Sequence, residues 1–231
     1  MPTKDSPSQD KKALKALLVE DNETNQIVAS TMIENLGFVV EIAGNGVDAV
    51  NMMLEKEFDM VFMDCQMPEL DGFAATRMIR NSGLENNRRV PIVAMTASAL
   101  AGDREKCLDA GMNDYIAKPF RIHELEEVIR RWVELETKDS ISHLLGPEPS
   151  QADSEIFNYG DVLQRMMNNA QLAKTLIRSF VNETPSIILK IEKSFAEGNL
   201  TDAATFAHSI KGSAANIGAE KFSRQARQLE Q

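Results

Sequence analysis

From Leu14 to about Val133, short apolar runs alternate with amphipathic stretches, and this alternation constrains the fold more than any other feature of the 231 residues. Five of the runs have strand length: Leu14 to Val19, Val39 to Ala43, Met60 to Met63, Pro91 to Met95 and Tyr115 to Ala117. Several are apolar at consecutive positions, as strands covered on both faces must be, so they predict an α/β domain with a parallel sheet sandwiched between helices. The intervening helices are legible as well. Asn25 to Leu36 carries Val28, Met32 and Leu36 on one face and stops at Gly37, a residue suited to ending a helix. Gly46 to Leu54, Phe73 to Arg80 and Asp103 to Ala110 follow the same logic, and Ile122 to Val133 spaces Ile122, Leu125, Val128, Ile129 and Trp132 for a final helix.

Past Glu136 the pattern lapses into polar residues with Gly146, Pro147 and Pro149, which mark a linker. Beyond it the spacing predicts helices over Val162 to Met167, Leu172 to Asn182, Pro185 to Glu197, Leu200 to Ile217 and a last segment from Ala219. Leu200, Ala203, Ala207, Ile210, Ala214 and Ile217 recur at steps of three and four, the seam of a helical bundle. The expected organisation is a disordered segment at 1–12, the α/β domain at 13–135, a linker at 136–154 and an all-α domain at 155–231. Gln231 falls inside an amphipathic stretch, so we expect the bundle to be cut short, with a swapped helix or a homodimer as the way to complete it.

A net charge of -10 argues against nucleic acid as the main partner, since phosphate contacts need clustered Lys and Arg. No apolar run approaches the roughly 18 residues of a membrane span, and Met1 to Lys12 is polar, so a cytoplasmic setting is expected. Cys65 and Cys107, the two cysteines, are expected to be free thiols.

In an open parallel sheet, ligands bind at the C-terminal edges of the strands. Glu20 and Asp21 follow the first strand, Asp64 ends the third, Thr96 the fourth and Lys118 the fifth. A carboxylate such as Asp64 can attack phosphorus to form an acyl phosphate. Three crowded acids repel one another unless a cation sits among them, which implies Mg2+ or Mn2+ on Asp21, Asp64 and the main-chain carbonyl of Gln66, with Glu20 close by or acting through water. Lys118 and Thr96 would then place positive charge and a hydroxyl donor on the phosphoryl oxygens.

The stretches Val19-Glu20-Asp21-Asn22, Met63-Asp64-Cys65-Gln66-Met67-Pro68 with Asp71-Gly72, Met95-Thr96-Ala97 and Tyr115-Ile116-Ala117-Lys118-Pro119-Phe120 resemble the receiver domain of two-component response regulators. The resemblance covers about residues 13 to 135. It implies a flavodoxin-like, doubly wound sheet of order 2-1-3-4-5, with Asp64 as phosphoacceptor and Glu20 and Asp21 as the acidic pair for the metal. Thr96 and Lys118 fall at the positions that meet the phosphoryl oxygens, and Tyr115 at an aromatic switch position coupled to Thr96.

In the helical part, His208-Ser209-Ile210-Lys211-Gly212-Ser213 stands beside the seam, so His208 is expected on an exposed flank. Lys211 and Gly212 lie one turn on and share its face, and the missing side chain at Gly212 leaves room for something large to approach the imidazole. A mostly neutral exposed imidazole keeps a nucleophilic nitrogen. The motif resembles histidine-containing phosphotransfer domains, which often follow receivers in hybrid sensor histidine kinases. Together the two resemblances imply a phosphorelay whose partners are a cognate sensor histidine kinase or phosphotransfer protein and the chain's own helical domain, in the cytosolic portion of a larger membrane sensor. Two other readings stay open: a Mg-dependent aspartyl-phosphate phosphohydrolase, disfavoured because Gln66 stands where such enzymes place a second Asp, and a scaffold that binds without transfer. No ATP-binding kinase core is visible, and His123 and His143 receive no catalytic role.

Overall fold

The computed structural model describes residues 13–96, 101–133 and 157–229, the side chains of 101–103 excepted. The expected disordered segment at 1–12 and the linker at 136–154, with His143, lie outside the described residues.

Five strands, β1 (Leu14–Val19), β2 (Phe38–Ala43), β3 (Met60–Asp64), β4 (Ile92–Thr96) and β5 (Asp114–Ala117), form one sheet of order β2-β1-β3-β4-β5. Every pair is parallel, and the register sets Val19 beside Ala43 and Met63, Asp64 beside Met95, and Thr96 beside Ala117. The strand ends that carry polar residues therefore meet at one edge. Alternate residues of each strand enter opposite cores. Leu18, Phe62 and Met95 pack with Val28 and Met32 of α1 (Glu23–Asn35) and with Leu125 and Ile129 of α6 (Ile122–Trp132). Leu17, Val61 and Ala94 pack with Val50 and Met53 of α2 (Gly46–Glu55) and Ile79 of α3 (Gly72–Arg80). At roughly 1.5–3 kcal/mol for each large side chain removed from water, these two layers hold the sheet between its helices.

Two short elements complete this part, α4 (Glu85–Arg89) and α5 (Ala101–Asp109). The spacing had not suggested α4, whose five residues are too few to show a helical period. Arg80 ties it down, donating to the carbonyls of Asn87 at 2.7 Å, Val90 at 2.9 Å and Gly111 at 2.9 Å and to Asn113 Oδ1 at 2.6 Å.

The remaining described residues form α7 (Tyr159–Arg165), α8 (Ala170–Ala196), α9 (Leu200–Asn216) and α10 (Glu220–Leu229). Asn158, Asn169 and Asn199 cap the first three by accepting from backbone N–H groups of the first turn. The two helices expected on either side of Pro185 are one helix of 27 residues. Pro185 lacks the N–H that would bond the carbonyl of Val181, but Val181 is 61% exposed, so water can reach that carbonyl and the helix continues through the proline. The seam on α9 is buried at Ala203, Ala207, Ile210, Ala214 and Ile217, whereas Leu200, expected as its first member, is 65% exposed. It is the first residue of α9.

The helical part packs on α1. The apolar cluster under α1 runs on without a break into Val162, Met166, Ala173, Leu176, Ala214 and Ile217. At its polar edge Thr24 Oγ1 donates to Glu183 Oε1 at 3.2 Å and Asn216 Nδ2 to Asn25 Oδ1 at 2.8 Å. Among the described residues no helix is long and apolar enough to cross a membrane.

Candidate functional site

The site begins where β1 ends. Asn22 accepts from the backbone N–H of Asn25 at 3.1 Å and starts α1, and this turns Glu20 and Asp21 onto the sheet edge. β3 delivers Asp64, and Gly72 allows α3 to start hard against it. A Cβ on Gly72 would stand 2.0 Å from the main-chain oxygen of Asp64, so any other residue there would push the strand end away. Thr96 ends β4, and Lys118 follows β5 just before Pro119.

Glu20 and Asp64 are buried, with 1% and 2% exposure. Lys118 bridges them, its Nζ donating to Asp64 Oδ2 at 2.6 Å and to Glu20 Oε2. Gln66 N donates to Asp64 Oδ1 at 3.1 Å, and Asn25 Nδ2 to Glu20 Oε1 at 2.8 Å. Such burial of charge is no source of stability, because stripping water from each ion costs several kcal/mol that the pairing does little more than return. The cluster is better understood as a site. Three carboxylates against one ammonium leave two negative charges at full ionisation, the charge of one divalent cation.

The acids register that deficit. Burial, opposed by Lys118 and reinforced by Asp64 and Asp21, pushes the Glu20 carboxyl up to about 8. Burial and then Asp64 push Asp21 to about 7, with Lys118 and, more weakly, Lys190 of α8 pulling the other way. Burial works against the Lys118 ammonium, but Asp64 and Glu20 outweigh it and hold its pKa above the ordinary lysine value. Carboxylate oxygens of Glu20, Asp21 and Asp64 all lie within 4.8 Å of one another. Hard oxygen donors at that spacing fit a hard divalent cation.

His208 was expected on an exposed flank, and the structure corrects this: it is only 6% exposed. The flank faces the α/β part, where Asn25 on α1 approaches so closely that a Cβ on Gly212 would stand 3.3 Å from its Nδ2. The large object for which Gly212 leaves room is thus α1 of the same chain. Lys211 Nζ lies 3.4 Å from His208 Nδ1, where the ammonium, a donor only, can donate to that nitrogen in the tautomer that leaves it unprotonated. A cavity of about 580 Å³ joins the two parts, lined on one side by Asp64, Gln66, Thr96 and Lys118 and on the other by His208 and Lys211.

The structure thus brings Glu20, Asp21, Asp64, Thr96 and Lys118 to one edge and sets His208 across from them. Tyr115 sits half-buried against the α2/α3 core, and His123 lies in the first turn of α6, lining a small cleft against α7. Cys65 and Cys107 are buried thiols that form no disulfide, the reduced state expected of them, and Cys107 together with burial pushes the Cys65 thiol far above its ordinary range. Asn25 and Asn216 were not singled out in the sequence. Asn25 alone offered a signal, as an amide three residues past an N-cap in an acidic loop.

A model of the response regulator receiver domain matches residues 16–130, and a model of the Hpt domain matches residues 175–231. The signal transduction histidine-protein kinase BarA of Shigella flexneri is 27% identical over 226 residues, which cover 96% of this chain and 24% of that protein. This chain therefore spans about a quarter of that curated relative. The receiver domain of sensor histidine kinase PA1611 from Pseudomonas aeruginosa PAO1, solved with a magnesium ion in its active-site cleft, is 50% identical, with a TM-score of 0.49 over 52% of this chain and 98% of that one. The chemotaxis protein CheY4 of Vibrio cholerae shares the fold at 23% identity, with a TM-score of 0.50 over 53% of this chain and 100% of that one. The five-stranded sheet with its acidic edge and the helices around His208 fall within the two matched segments, and the chain belongs to the two-component phosphorelay proteins, joining a response regulator receiver domain to an Hpt domain.

Proposed function

We propose that Asp64 accepts a phosphoryl group from the phosphohistidine of a cognate sensor kinase and that the group then passes within this chain to His208. The observation that carries the reading is the shared cavity, into which both side chains open. In the first step an Asp64 carboxylate oxygen forms the P–O bond while the donor's P–N bond breaks, its electron pair staying on the donor imidazole. In the second, a ring nitrogen of His208 forms a P–N bond and the pair of the breaking P–O bond returns to Asp64. Neither step needs an outside acid or oxidant.

Lys118, already on Asp64, stabilises charge on the transferring oxygens, and the Thr96 hydroxyl donates to them. Lys211 offers the same help at the imidazole end. A divalent cation, Mg2+ or Mn2+, held by Glu20, Asp21, Asp64 and the carbonyl of Gln66, supplies positive charge to the phosphoryl oxygens when bound. Tyr115 would follow Thr96 between two positions and carry the phosphorylation state to the far face. The reading places the chain in the cytoplasm, where a kinase can draw on ATP.

The test is incubation of the full chain with acetyl phosphate and Mg2+, followed by mass mapping of wild type, Asp64→Asn and His208→Gln. We expect label on Asp64 and then on His208 in wild type, on Asp64 alone in His208→Gln, and on neither in Asp64→Asn. Label that reaches His208 in Asp64→Asn would sink the reading. Phosphate released to solvent without visiting His208 would instead favour a hydrolase.

A further inference from the structure

The cavity between Asp64 and His208 has a further wall that neither motif includes. Glu220, Ser223, Arg224 and Arg227 of α10 all line it, and their steps of three, one and three residues place them on one face of that helix. The other side of α10 turns Phe222 and Ala226 into the apolar cluster with Ile191, Ala207 and Ile210. Ser223 Oγ donates to the Lys211 carbonyl at 3.0 Å, which fixes α10 beside the helix that bears His208. From the receiver side Lys106 of α5 faces the same space.

The cavity walls thus hold Lys106, Lys118, Lys211, Arg224 and Arg227 against the carboxylates of Asp64 and Glu220. In a chain of net charge -10 this is a local reversal of sign, and it takes both domains to make it. Lys118 is committed to Glu20 and Asp64. Arg224 and Arg227 are exposed, and among the described residues neither forms an ion pair. Each guanidinium presents a planar fork of donors that matches two phosphate oxygens at once, which an ammonium cannot do.

We propose that Arg224 and Arg227 are phosphoryl-binding residues, which make the interdomain cavity a site for a phosphate dianion that is complete only when the receiver and Hpt domains are docked. The site rests on the relay reading for its purpose, since a group in transit spreads charge over its equatorial oxygens and needs donors that belong to neither end. The two arginines take no part in bond making. They hold the oxygens while phosphorus changes partner.

Two measurements on the full chain test this. In the first, inorganic phosphate is titrated while the His208 imidazole signals are followed by NMR. Saturable displacement in wild type that is lost in Arg224→Ala/Arg227→Ala supports the site whatever becomes of the relay; equal displacement in both proteins, or none in either, overturns it. In the second, Asp64 is loaded from acetyl phosphate and label is timed onto His208. Once Asp64 is loaded, the double alanine variant is expected to pass label on about tenfold or more slowly than loaded wild type, with Arg224→Lys/Arg227→Lys recovering part of the loss. Transfer from loaded Asp64 at the wild-type rate in the double alanine variant would overturn the inference. Wild type that never labels His208 defeats the relay, and the phosphate titration then decides the site by itself.

Discussion

The two ends of the proposed transfer are built in opposite ways. Asp64 is surrounded by groups from β1, β3, β4 and β5, and its closest partners, Gln66 and Lys118, lie within the receiver. His208 stands with Lys211 on one helix, and it is buried on the face where Gly212 of that helix meets α1 of the other domain. A site gathered from several strand ends is set by the sheet register and closes its own electrostatics. A site on a single helix has little around it until something docks. Substitutions at the first end should therefore act on chemistry, and those at the second on association.

The largest effect should follow from Lys118→Ala. Removing the ammonium from between Glu20 and Asp64 takes away the charge that meets the transferring oxygens, and loading of Asp64 from acetyl phosphate should slow about 10²–10³-fold. Rapid quench of the labelled chain reads this directly. Loading within twofold of wild type would break the contrast, because the receiver end would then owe little to its charge cluster.

That contrast also explains what could be read from the sequence. Five strands, the acidic edge and Lys118 were legible because each sits where an apolar run stops, and parallel strands bring such stops together. α4 was hidden by its five residues, and the continuity of α8 by Pro185, whose usual effect is to end a helix but which here falls where the freed carbonyl reaches water. The burial of His208 was not legible at all. Helical spacing assigns a face to each residue, and nothing in one helix's periodicity says that α1, nearly two hundred residues earlier, will cover that face. Asn216 shows the same limit: it is an unremarked polar residue at the end of α9 until Asn25 is placed 2.8 Å away.

Asn216→Ala should sharpen the comparison from the other side. It leaves Asn25 Oδ1 without its donor inside the interface, a cost of about 1–3 kcal/mol in docking. Hydrogen exchange should quicken on the facing turns of α1 and α9, and transfer to His208 should slow, while loading of Asp64 from acetyl phosphate stays at the wild-type rate. Unchanged exchange on both helices would mean that the apolar contact with Val162, Met166 and Ile217 holds the domains together without this bond.

A smaller effect separates the ends by pH. Without metal, Glu20 and Asp21 hold protons up to about 8 and about 7, against ordinary values of 4.5 and 3.8. Across that interval the folded chain binds more protons than the unfolded one, so the stability these groups contribute is fully present below the ordinary carboxylate values of 4.5 and 3.8, falls steadily as pH rises above them, and is gone once pH passes about 8. A divalent cation reverses the sign by displacing those protons. Mg2+ affinity should climb with pH by up to about tenfold per unit for each proton displaced, and level off above 8. Titration calorimetry at several pH values checks the slope, and a flat profile from pH 6 to 8 would show that Glu20 and Asp21 are already ionised without metal.

The smallest effect concerns the start of the seam on α9. Leu200 lies at the spacing of Ala203, Ala207 and Ile210 but is 65% exposed, whereas Ile210 is 2% exposed. Periodicity records which face a residue occupies and not how far the opposing helix extends, so the first turn can continue a pattern with nothing across from it. Leu200→Ala should therefore change unfolding free energy by less than about 0.5 kcal/mol, as exposed substitutions do, while Ile210→Ala should cost about 2–5 kcal/mol. Chemical denaturation of the two variants makes the measurement. If Leu200→Ala cost as much as about 2 kcal/mol in a concentration-dependent manner, a second copy of the chain would be covering that turn, and the helical end of the relay would be built from two molecules where the receiver end is built from one.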